Sequence, residues 1–265
     1  PFHPIPLVPN FRDIGGHPTT SPSHHIRTGI LYRGSDPSRI TPSGISLLHS
    51  LHITTDFDLR SAQQIQNTGG YKDMEGITRR WEPVFAEEAY TEEAAKRRYE
   101  MYGAEGTEGI VRAFVEILGA GAGMFGVVLR HVLECVAVAE SGGEGVQVQA
   151  TFIHCTTGNN RTGVFVGVLL MLLRVPHDEV CREYALSEVG LAPTRHVNVE
   201  RLLGKGAFGE YGAEEARRRC ERMVGAREES MRALIEEVER RWGGPEGYFL
   251  QDVGLSEEEV ERLRE

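Results

Sequence analysis

The sequence has little of several features that mark specialised classes of protein. Its 265 residues include four cysteines, Cys135, Cys155, Cys181 and Cys220, which are too few and too scattered for a disulfide framework or a zinc knuckle. Lysine and arginine number 29 against 39 aspartates and glutamates, giving a formal net charge of -10. This balance argues against a general nucleic-acid or anionic-membrane surface. No apolar run reaches the roughly 20 residues of a membrane span, so we expect none.

Short apolar runs alternate with helical patterns over much of the chain. Strands are predicted at 30–33, 53–59 and 146–153. A helix is predicted from Thr41, a natural N-cap followed by proline, to about residue 52. The run 163–173 is apolar on almost every side, which predicts a buried helix. With no internal repeat, the pattern and length favour one α/β domain spanning 1–265.

The region 71–145 predicts a helical insertion within that domain. Its first part, 71–102, is highly charged with helical spacing, which fits either a solvated helix or a mobile lid over a site. Two further helices are predicted at 110–118 and 127–139, joined by a glycine-rich connection. Gly121, Gly123 and Gly126 spell GxGxxG, but no strand precedes them, so we do not expect a dinucleotide site.

The remaining segments give little indication of a functional site. His24 and His25 are adjacent without a carboxylate or thiol at ligand spacing, which favours a solvated loop over a metal site. A variable stretch at 190–212 precedes two polar helices, predicted at 213–241 and 256–265. Ser256 and Glu259 have the spacing of a capping box at the start of the second.

One string, 154–163, carries most of the functional information. It reads HCTTGNNRTG, with Cys155 and Arg161 at C-x5-R spacing between an apolar strand and an apolar helix. A loop entering a helix N-terminus exposes backbone N–H groups, and arginine adds a bidentate fork, so we expect an anion-binding loop. Gly158 allows the backbone to curl around the anion. A thiolate at Cys155 would be stabilised in that field and would lie beside a bound phosphate.

Each residue of this loop has an expected role. Cys155 is the nucleophile and Arg161 holds two phosphoryl oxygens through the transition state. His154 fixes the loop, and Thr162 donates to the sulfur. The predicted phosphate-binding residues of the loop are Thr156, Thr157, Gly158, Asn159, Asn160 and Arg161. The alternative is a buried structural cysteine near a surface arginine.

The string resembles the signature of the protein tyrosine phosphatase superfamily. Three further motifs, at 10–16 (NFRDIGG), 31–35 (LYRGS) and 58–61 (DLRS), occur in the order seen in its bacterial and fungal family, and the tail at 248–256 is also similar. The resemblance implies a central, mainly parallel sheet flanked by helices, no metal or other cofactor, and hydrolysis through a phospho-cysteine. Family members act on phosphotyrosine, and some also on phosphoserine, phosphothreonine or phosphoinositides.

One departure from the family pattern concerns the general acid. The family usually has Lys and Asp before the arginine, where this chain has Asn159 and Asn160. We therefore look for the acid elsewhere and select Asp58, whose other possible role is an ion-pair brace. Glu82, in Trp81-Glu82-Pro83, is a minor alternative.

Two assignments outside the phosphate loop complete the expected site. Arg60 is expected to contact substrate. Arg12 and Asp13 are expected to form a structural pair nearby.

These expectations define a function with two alternatives. The chain is predicted to be a metal-independent phosphatase that acts on phosphotyrosine protein and releases inorganic phosphate. One alternative is a phosphatase for phosphoinositides or a small phosphorylated metabolite; the other is a pseudophosphatase that binds phosphate without turnover. We expect no nucleic-acid partner, and a cytoplasmic location, because Cys155 must stay reduced.

Overall fold

The computed structural model describes residues 2–21, 23–89, 91–143 and 145–265. Its centre is a five-stranded sheet with the strand order β1-β2-β5-β3-β4. All neighbouring strands are parallel except β1, which pairs antiparallel with β2 at one edge. The strands are β1 Arg12–Asp13, β2 Leu31–Gly34, β3 Ile53–Asp58, β4 Thr78–Trp81 and β5 Ala150–His154. The α/β class and the mainly parallel sheet are confirmed.

Helices surround this sheet. Those before β5 are α1 Pro42–Ser50, α2 Ala62–Asn67, α3 Glu92–Gly103 and α4 Glu108–Ser141. Those after it are α5 Asn160–Leu172, α6 His177–Leu191, α7 Arg195–Gly204, α8 Ala213–Met223, α9 Glu228–Trp242, α10 Pro245–Gln251 and α11 Glu257–Arg264. Short 3-10 turns lie at Glu87–Ala89, Ala192–Thr194 and Gly209–Tyr211.

The central strand β5 determines where a site forms. Every residue of β5 is buried, because β2 and β3 flank it and helices cover the sheet. Its last residue, His154, is in register with Gly34 of β2 and Asp58 of β3. Parallel strands end at the same edge, so the segment after β5 lies in the crevice where α/β sheets bind ligands.

Local sequence signals account for several helix boundaries. Thr41 accepts a hydrogen bond from the Gly44 amide at 3.1 Å, as expected of the N-cap of α1. Ser256 and Glu259 form the predicted capping box of α11. Helix α5 is buried from Thr162 to Leu172, which confirms the prediction of a core helix.

The prediction of two helices, at 110–118 and 127–139, joined by a glycine-rich connection is wrong. A single helix of 34 residues, α4, covers both predicted helices and the glycines between them. Each interior glycine costs about 1 kcal/mol relative to alanine, but packing of the apolar face offsets that cost. At Gly126 a β-carbon would lie 3.2 Å from the Val253 carbonyl oxygen, so close packing favours glycine there.

Helix α4 also changes the expectation about apolar length. It is long and apolar enough to cross a membrane by length and composition alone. Half of its most apolar 18-residue window is buried inside the protein, however, and Phe114, Leu118 and Phe125 belong to the main core. Helix α4 is therefore a core helix of this domain.

Two other charged regions also differ from expectation. Within 71–102, β4 joins the sheet edge beside β3, and the described residues there form one α-helix, α3, after the short 3-10 turn at Glu87–Ala89. Strand β4 has only four residues, two of them adjacent arginines, which gives too little apolar pattern to be recognised from the sequence. The helix predicted at 213–241 is two helices, α8 and α9, separated by a turn around Gly225 and Ala226.

Candidate active site

The segment after β5 forms a tight loop whose carbonyl groups point away from its centre. The Thr156 carbonyl accepts from the Asp36 amide at 3.2 Å. The Thr157 carbonyl accepts from Asn10 Nδ2 at 3.1 Å and from Ser35 Oγ at 3.0 Å. With these carbonyls held outside, the loop amides are left to converge on an anion at the N-terminus of α5.

Gly158 completes the curl of this loop. Its φ is +66°, in the left-handed region that favours glycine. A β-carbon there would lie 2.1 Å from the Gly34 carbonyl oxygen, so a side chain does not fit. The Gly158 carbonyl accepts a 2.5 Å hydrogen bond from the Arg33 guanidinium.

Arg33 belongs to a fully buried cluster of charge. Glu183 of α6 accepts from Arg33 Nη1 at 2.7 Å through one carboxylate oxygen and from Arg12 Nε at 2.7 Å through the other. The two guanidinium groups lower the pKa of Glu183 against the opposing effect of burial. A carboxylate on α6 thereby fixes the arginine that holds the Gly158 carbonyl.

Cys155 lies in this loop as an activated thiol. It is 2% exposed, and burial alone would raise its pKa. Arg161 and hydrogen bonds from Thr162 and the Thr157 amide outweigh burial and lower the pKa of Cys155 from 9.0 to about 7. Thr162 Oγ1 is buried and has no other partner among the described residues, so its proton is available to the sulfur.

Arg161 is held in place by neutral groups. It donates to Gln64 Oε1 at 2.6 Å, to the Leu59 carbonyl at 3.2 Å and to Thr156 Oγ1 at 3.3 Å. No carboxylate of the described residues lies within ion-pair distance of it. Its positive charge is therefore available to the thiolate and to a bound anion.

His154 is completely buried beneath the loop. One ring nitrogen lies 3.1 Å from Asp56 Oδ1, and the other lies 3.0 Å from the Cys155 carbonyl. Burial lowers its pKa, but Asp56 and Asp58 outweigh this effect and raise the pKa of His154 to about 9. A protonated His154 donates to the Cys155 carbonyl, in keeping with the predicted role in fixing the loop.

The contacts of Asp58 favour a structural role, as an ion-pair brace, over the predicted role of general acid. Its carboxylate accepts from Arg60 Nε and Nη2, and from Arg79 Nη2, each at 2.8 Å. Burial would raise its pKa, but His154 and the two arginines hold it well below its usual range. The side chain is 0% exposed and does not line the cavity that contains Cys155.

Arg60, like Asp58, is buried and makes its contacts within the protein. It is 0% exposed and donates to Asp58, Ser38 and Thr68. The contact to substrate predicted for it is not available in this arrangement, because it does not line the cavity. Its capacity as a donor is used within the protein.

The two asparagines before Arg161 have different surroundings. Asn159 is 1% exposed and donates from Nδ2 to the Gly225 carbonyl at 3.0 Å, which ties the loop to the turn between α8 and α9. Asn160 accepts from the Tyr184 hydroxyl at 3.3 Å and begins α5. Thr156, Thr157 and both asparagines line the cavity with Cys155.

The predicted pair of Arg12 and Asp13 is wrong. Arg12 pairs with Glu183, whereas Asp13 accepts from the amides of Gly15 at 2.8 Å and Gly29 at 2.7 Å. Because Asp13 follows Arg12 on a strand, their side chains point to opposite faces. Asp13 braces a turn instead.

Glu82 lies outside the cavity lining and 3.8 Å from Arg80. Among the described residues, no three His, Cys, Asp or Glu side chains form a group that could hold a metal ion.

A cavity of about 550 Å³ opens above Cys155. The phosphate loop and α2 form its floor, and α3, α6 and α7 contribute its walls. Helix α3 contributes Arg98, Tyr99 and Tyr102, and packs against α4 and α8. Of the two interpretations of 71–102, a solvated helix or a mobile lid, the lid would correspond to α3, and its mobility stays a prediction.

Several contributors to the site were not expected from the sequence. Asn10, Ser35 and Arg33 lie in motifs noted for resemblance, yet nothing in those motifs indicates that they hold the loop carbonyls and the loop itself in place. Glu183 had no signal, because it occurs in an ordinary charged helix. The one available signal was that Glu183 falls on the apolar, buried face of α6, where an unpaired charge is rare.

Comparison with known proteins agrees with this geometry. A model of the tyrosine phosphatase family matches residues 3–265. A tyrosine-protein phosphatase of Nostoc commune is 26% identical over 243 residues, covering 90% of this chain and 74% of that protein. The triple specificity protein phosphatase PtpB of Mycobacterium tuberculosis H37Rv is 25% identical over 287 residues, covering 98% of this chain and 96% of that protein. The chain, matched over nearly its whole length, belongs to the tyrosine phosphatase family.

Proposed function

We propose that this phosphatase hydrolyses phosphomonoesters through a phospho-cysteine at Cys155, with phosphotyrosine in proteins as its substrate. The observation that carries the proposal is the state of the thiol. Cys155 is buried, yet its pKa is lowered to about 7, beside an arginine that has no carboxylate partner among the described residues. A thiolate and an unneutralised guanidinium at one anion-binding loop suit attack by sulfur on phosphorus.

The first half of the reaction transfers the phosphoryl group to sulfur. The loop amides and Arg161 hold the non-bridging oxygens, and Cys155 Sγ attacks phosphorus in line with the leaving oxygen. The S–P bond forms as the P–O bond breaks. The departing oxygen takes its electron pair and a proton from a general acid, giving the free hydroxyl of the product.

The second half regenerates the enzyme. A water molecule attacks phosphorus and gives a proton to the carboxylate that served as general acid in the first half, the S–P bond breaks, and inorganic phosphate leaves. The sulfur departs as a thiolate, which Arg161 and the Thr162 hydroxyl stabilise. Neither half calls for a metal ion, because the guanidinium and amides supply the positive field.

The general acid is better placed on the cavity wall than at Asp58. Among the described lining residues, the carboxylates are Glu92 and Glu188. Glu188 pairs with Arg195 and accepts from the Ala226 amide, so both of its oxygens are engaged. Glu92, at the start of α3, forms no ion pair with the described residues. We therefore propose Glu92 as the proton donor, and Asp58 as a brace.

Two alternatives keep the same site. A pseudophosphatase would bind phosphate without turnover, and the presence of Asn160 where the family has Asp is its only support. A phosphoinositide or small-metabolite phosphatase would use the same loop on another leaving group. The lack of lysine at position 159, where Asn159 is tied to Gly225, gives it less support.

The decisive experiment measures hydrolysis of an aryl phosphate by the whole chain, with and without a chelator. We expect turnover that is insensitive to the chelator. Acid quenching during turnover should trap a phosphoryl group on the peptide containing Cys155, seen by mass spectrometry. No turnover would favour the pseudophosphatase. Turnover without a trapped adduct, even with a fast-leaving phenol, would contradict the phospho-cysteine.

Comparing a phosphotyrosine peptide with soluble inositol phosphates addresses the substrate class. We expect the peptide to have the higher kcat/KM.

A further inference from the structure

The cavity above Cys155 has a charge opposite to that of the protein as a whole. The chain has a formal net charge of -10. Among the described residues that line the cavity, five are cationic and two are anionic. The cationic ones are Arg98, Arg161, Arg195, Arg201 and Lys205. A concave wall of one sign focuses the field inside it, so the cavity attracts anions despite the overall charge.

Not all of these cations are available to a ligand. Arg195 is paired with Glu188. Arg98 donates to the Ala89 carbonyl at 2.8 Å and stacks over Phe85. Arg161 belongs to the phosphate loop. The remaining two, Arg201 and Lys205, lie outside the phosphate loop and form no ion pair with a carboxylate of the described residues.

Arg201 and Lys205 lie one turn apart on α7 and its C-cap, so they share one face. Arg201 has one side-chain hydrogen bond in the described structure, a 3.1 Å contact with the neutral Asn198. It also lies close enough to Tyr99 of α3 to lower the pKa of that phenol, against the larger, opposing effect of burial. Both residues line the cavity that Cys155 opens into, where Tyr99 of α3 also lies.

Helix α7, which carries Arg201 and precedes Lys205, is held by its own hydrophobic packing. Val199 and Leu202 of α7 pack with Phe208, Ala216 and Cys220 in a hydrophobic cluster separate from the main core. A site built on a packed helix is positioned more precisely than one built on a loop. Solvent-exposed cations on a convex surface would be ordinary, but these two line the same cavity as the nucleophile.

We propose that Arg201 and Lys205 form a second anion subsite, which binds an acidic group on the same phosphorylated polypeptide whose phosphate occupies the Cys155 loop. The proposal rests on the phosphatase function proposed above. The anionic group is a carboxylate or a second phosphate, and both present oxygens that guanidinium and ammonium groups bind. Phosphotyrosine peptides with acidic residues near the phosphotyrosine are the substrate class that fits.

The test compares matched phosphotyrosine peptides, one with Asp and Glu around the phosphotyrosine and one with Asn and Gln. For the native chain we expect kcat/KM for the acidic peptide to exceed that for the neutral peptide by about tenfold at low salt. The ratio should shrink as ionic strength rises. In the R201Q/K205Q double variant the ratio should fall close to one.

A matched control changes the same charge elsewhere. Arg112 of α4 and Arg241 of α9 are exposed and lie outside the cavity. The R112Q/R241Q variant should keep the ratio of the native chain. An equal loss in both double variants would show a general effect of net charge and overturn the subsite, as would a ratio near one in the native chain.

Two further measurements separate the possible failures. Failure to hydrolyse a simple aryl phosphate would refute the proposed function itself, whereas normal turnover with no peptide preference would refute only the subsite. A peptide with phosphotyrosine and a nearby phosphoserine should show the same dependence on R201Q/K205Q as the acidic peptide. Dependence seen only with soluble inositol phosphates would overturn the assignment to a polypeptide.

Discussion

The Arg33 guanidinium donates to the Gly158 carbonyl at 2.5 Å, while the same guanidinium pairs with Glu183 at 2.7 Å. A strand residue thereby fixes the most constrained peptide of the phosphate loop and is itself fixed by a helix. The glycine supplies the backbone conformation, and the arginine decides which way its carbonyl points. The shape of the anion site thus depends on charges that do not line the cavity.

Replacing Arg33 with lysine should disturb the loop without unfolding the chain. A lysine keeps the charge but cannot donate to Glu183 and the Gly158 carbonyl as a fork does. We expect kcat to fall about 10- to 100-fold, on the scale of a lost positioning contact. The pH dependence of iodoacetamide alkylation should show a raised pKa for Cys155. The exposed Arg112→Lys is the matched control and should change neither quantity.

Glu183→Gln should destabilise the protein strongly. It leaves Arg12 and Arg33 buried without a countercharge, which costs about 3–5 kcal/mol of unfolding free energy. Urea denaturation measures the loss. Adding Arg12→Met and Arg33→Met should recover stability but not activity, because the Gly158 carbonyl remains unheld. A mild effect of Glu183→Gln alone would show that the cluster matters less than its burial indicates.

Cys155→Ser should abolish turnover while the loop still binds oxyanions. The serine hydroxyl is not ionised at neutral pH, whereas the thiol with its pKa of about 7 is half ionised there. Vanadate or phosphate should still raise the melting temperature of the variant. Residual hydrolysis near the native rate would exclude Cys155 as nucleophile.

Two buried groups should give opposite pH dependences of stability. The pKa of His154 is raised from 6.5 to about 9, so its contribution is complete below pH 6.5 and is lost as pH rises through 9. The pKa of Cys155 is lowered from 9.0 to about 7, so its contribution appears as pH rises from 7 to 9. The two effects, each about 3 kcal/mol by linkage, should largely cancel in the native chain between pH 7 and 9.

Variants separate these two contributions. Cys155→Ser removes the gain from the thiolate, so its unfolding free energy should fall as pH rises through that window. His154→Gln should show the reverse, a rise with pH. Chemical denaturation at several pH values measures both. If Cys155→Ser were as flat as the native chain, the pairing of His154 with Asp56 would not persist in solution.

The general acid is tested by leaving groups of different pKa. Glu92→Gln should slow an alkyl phosphate or a poor phenol ester by about 100-fold or more, and an activated nitrophenyl ester far less. Asp58→Asn should slow both substrates alike and lower stability, because Arg60 and Arg79 lose their carboxylate. A leaving-group dependence at Asp58 instead of Glu92 would restore Asp58 as the acid.

The local sequence predicted the loop between β5 and α5, but not the residues from other elements that hold it in place. Cys155, Gly158 and Arg161 are separated by fixed short spacings, and an apolar strand and helix on either side leave them one place in an α/β fold. The caps at Thr41 and Ser256 are also local, since each uses a hydrogen bond three residues along the chain. Where the sequence misled, at α4 and β4, tertiary packing outweighed glycine content and a weak strand pattern.

What the sequence alone determined is the composition and spacing of the anion-binding loop, because backbone curvature and helix start are set within ten residues. Only the tertiary structure decided what each surrounding charge does. Asp58 could have faced substrate, but Arg60 and Arg79 occupy its oxygens. In the sequence Glu183 is one of many helical glutamates, and only folding places it between Arg12 of β1 and Arg33 of β2. Partner choice among buried charges depends on distances across the fold, which no local spacing contains.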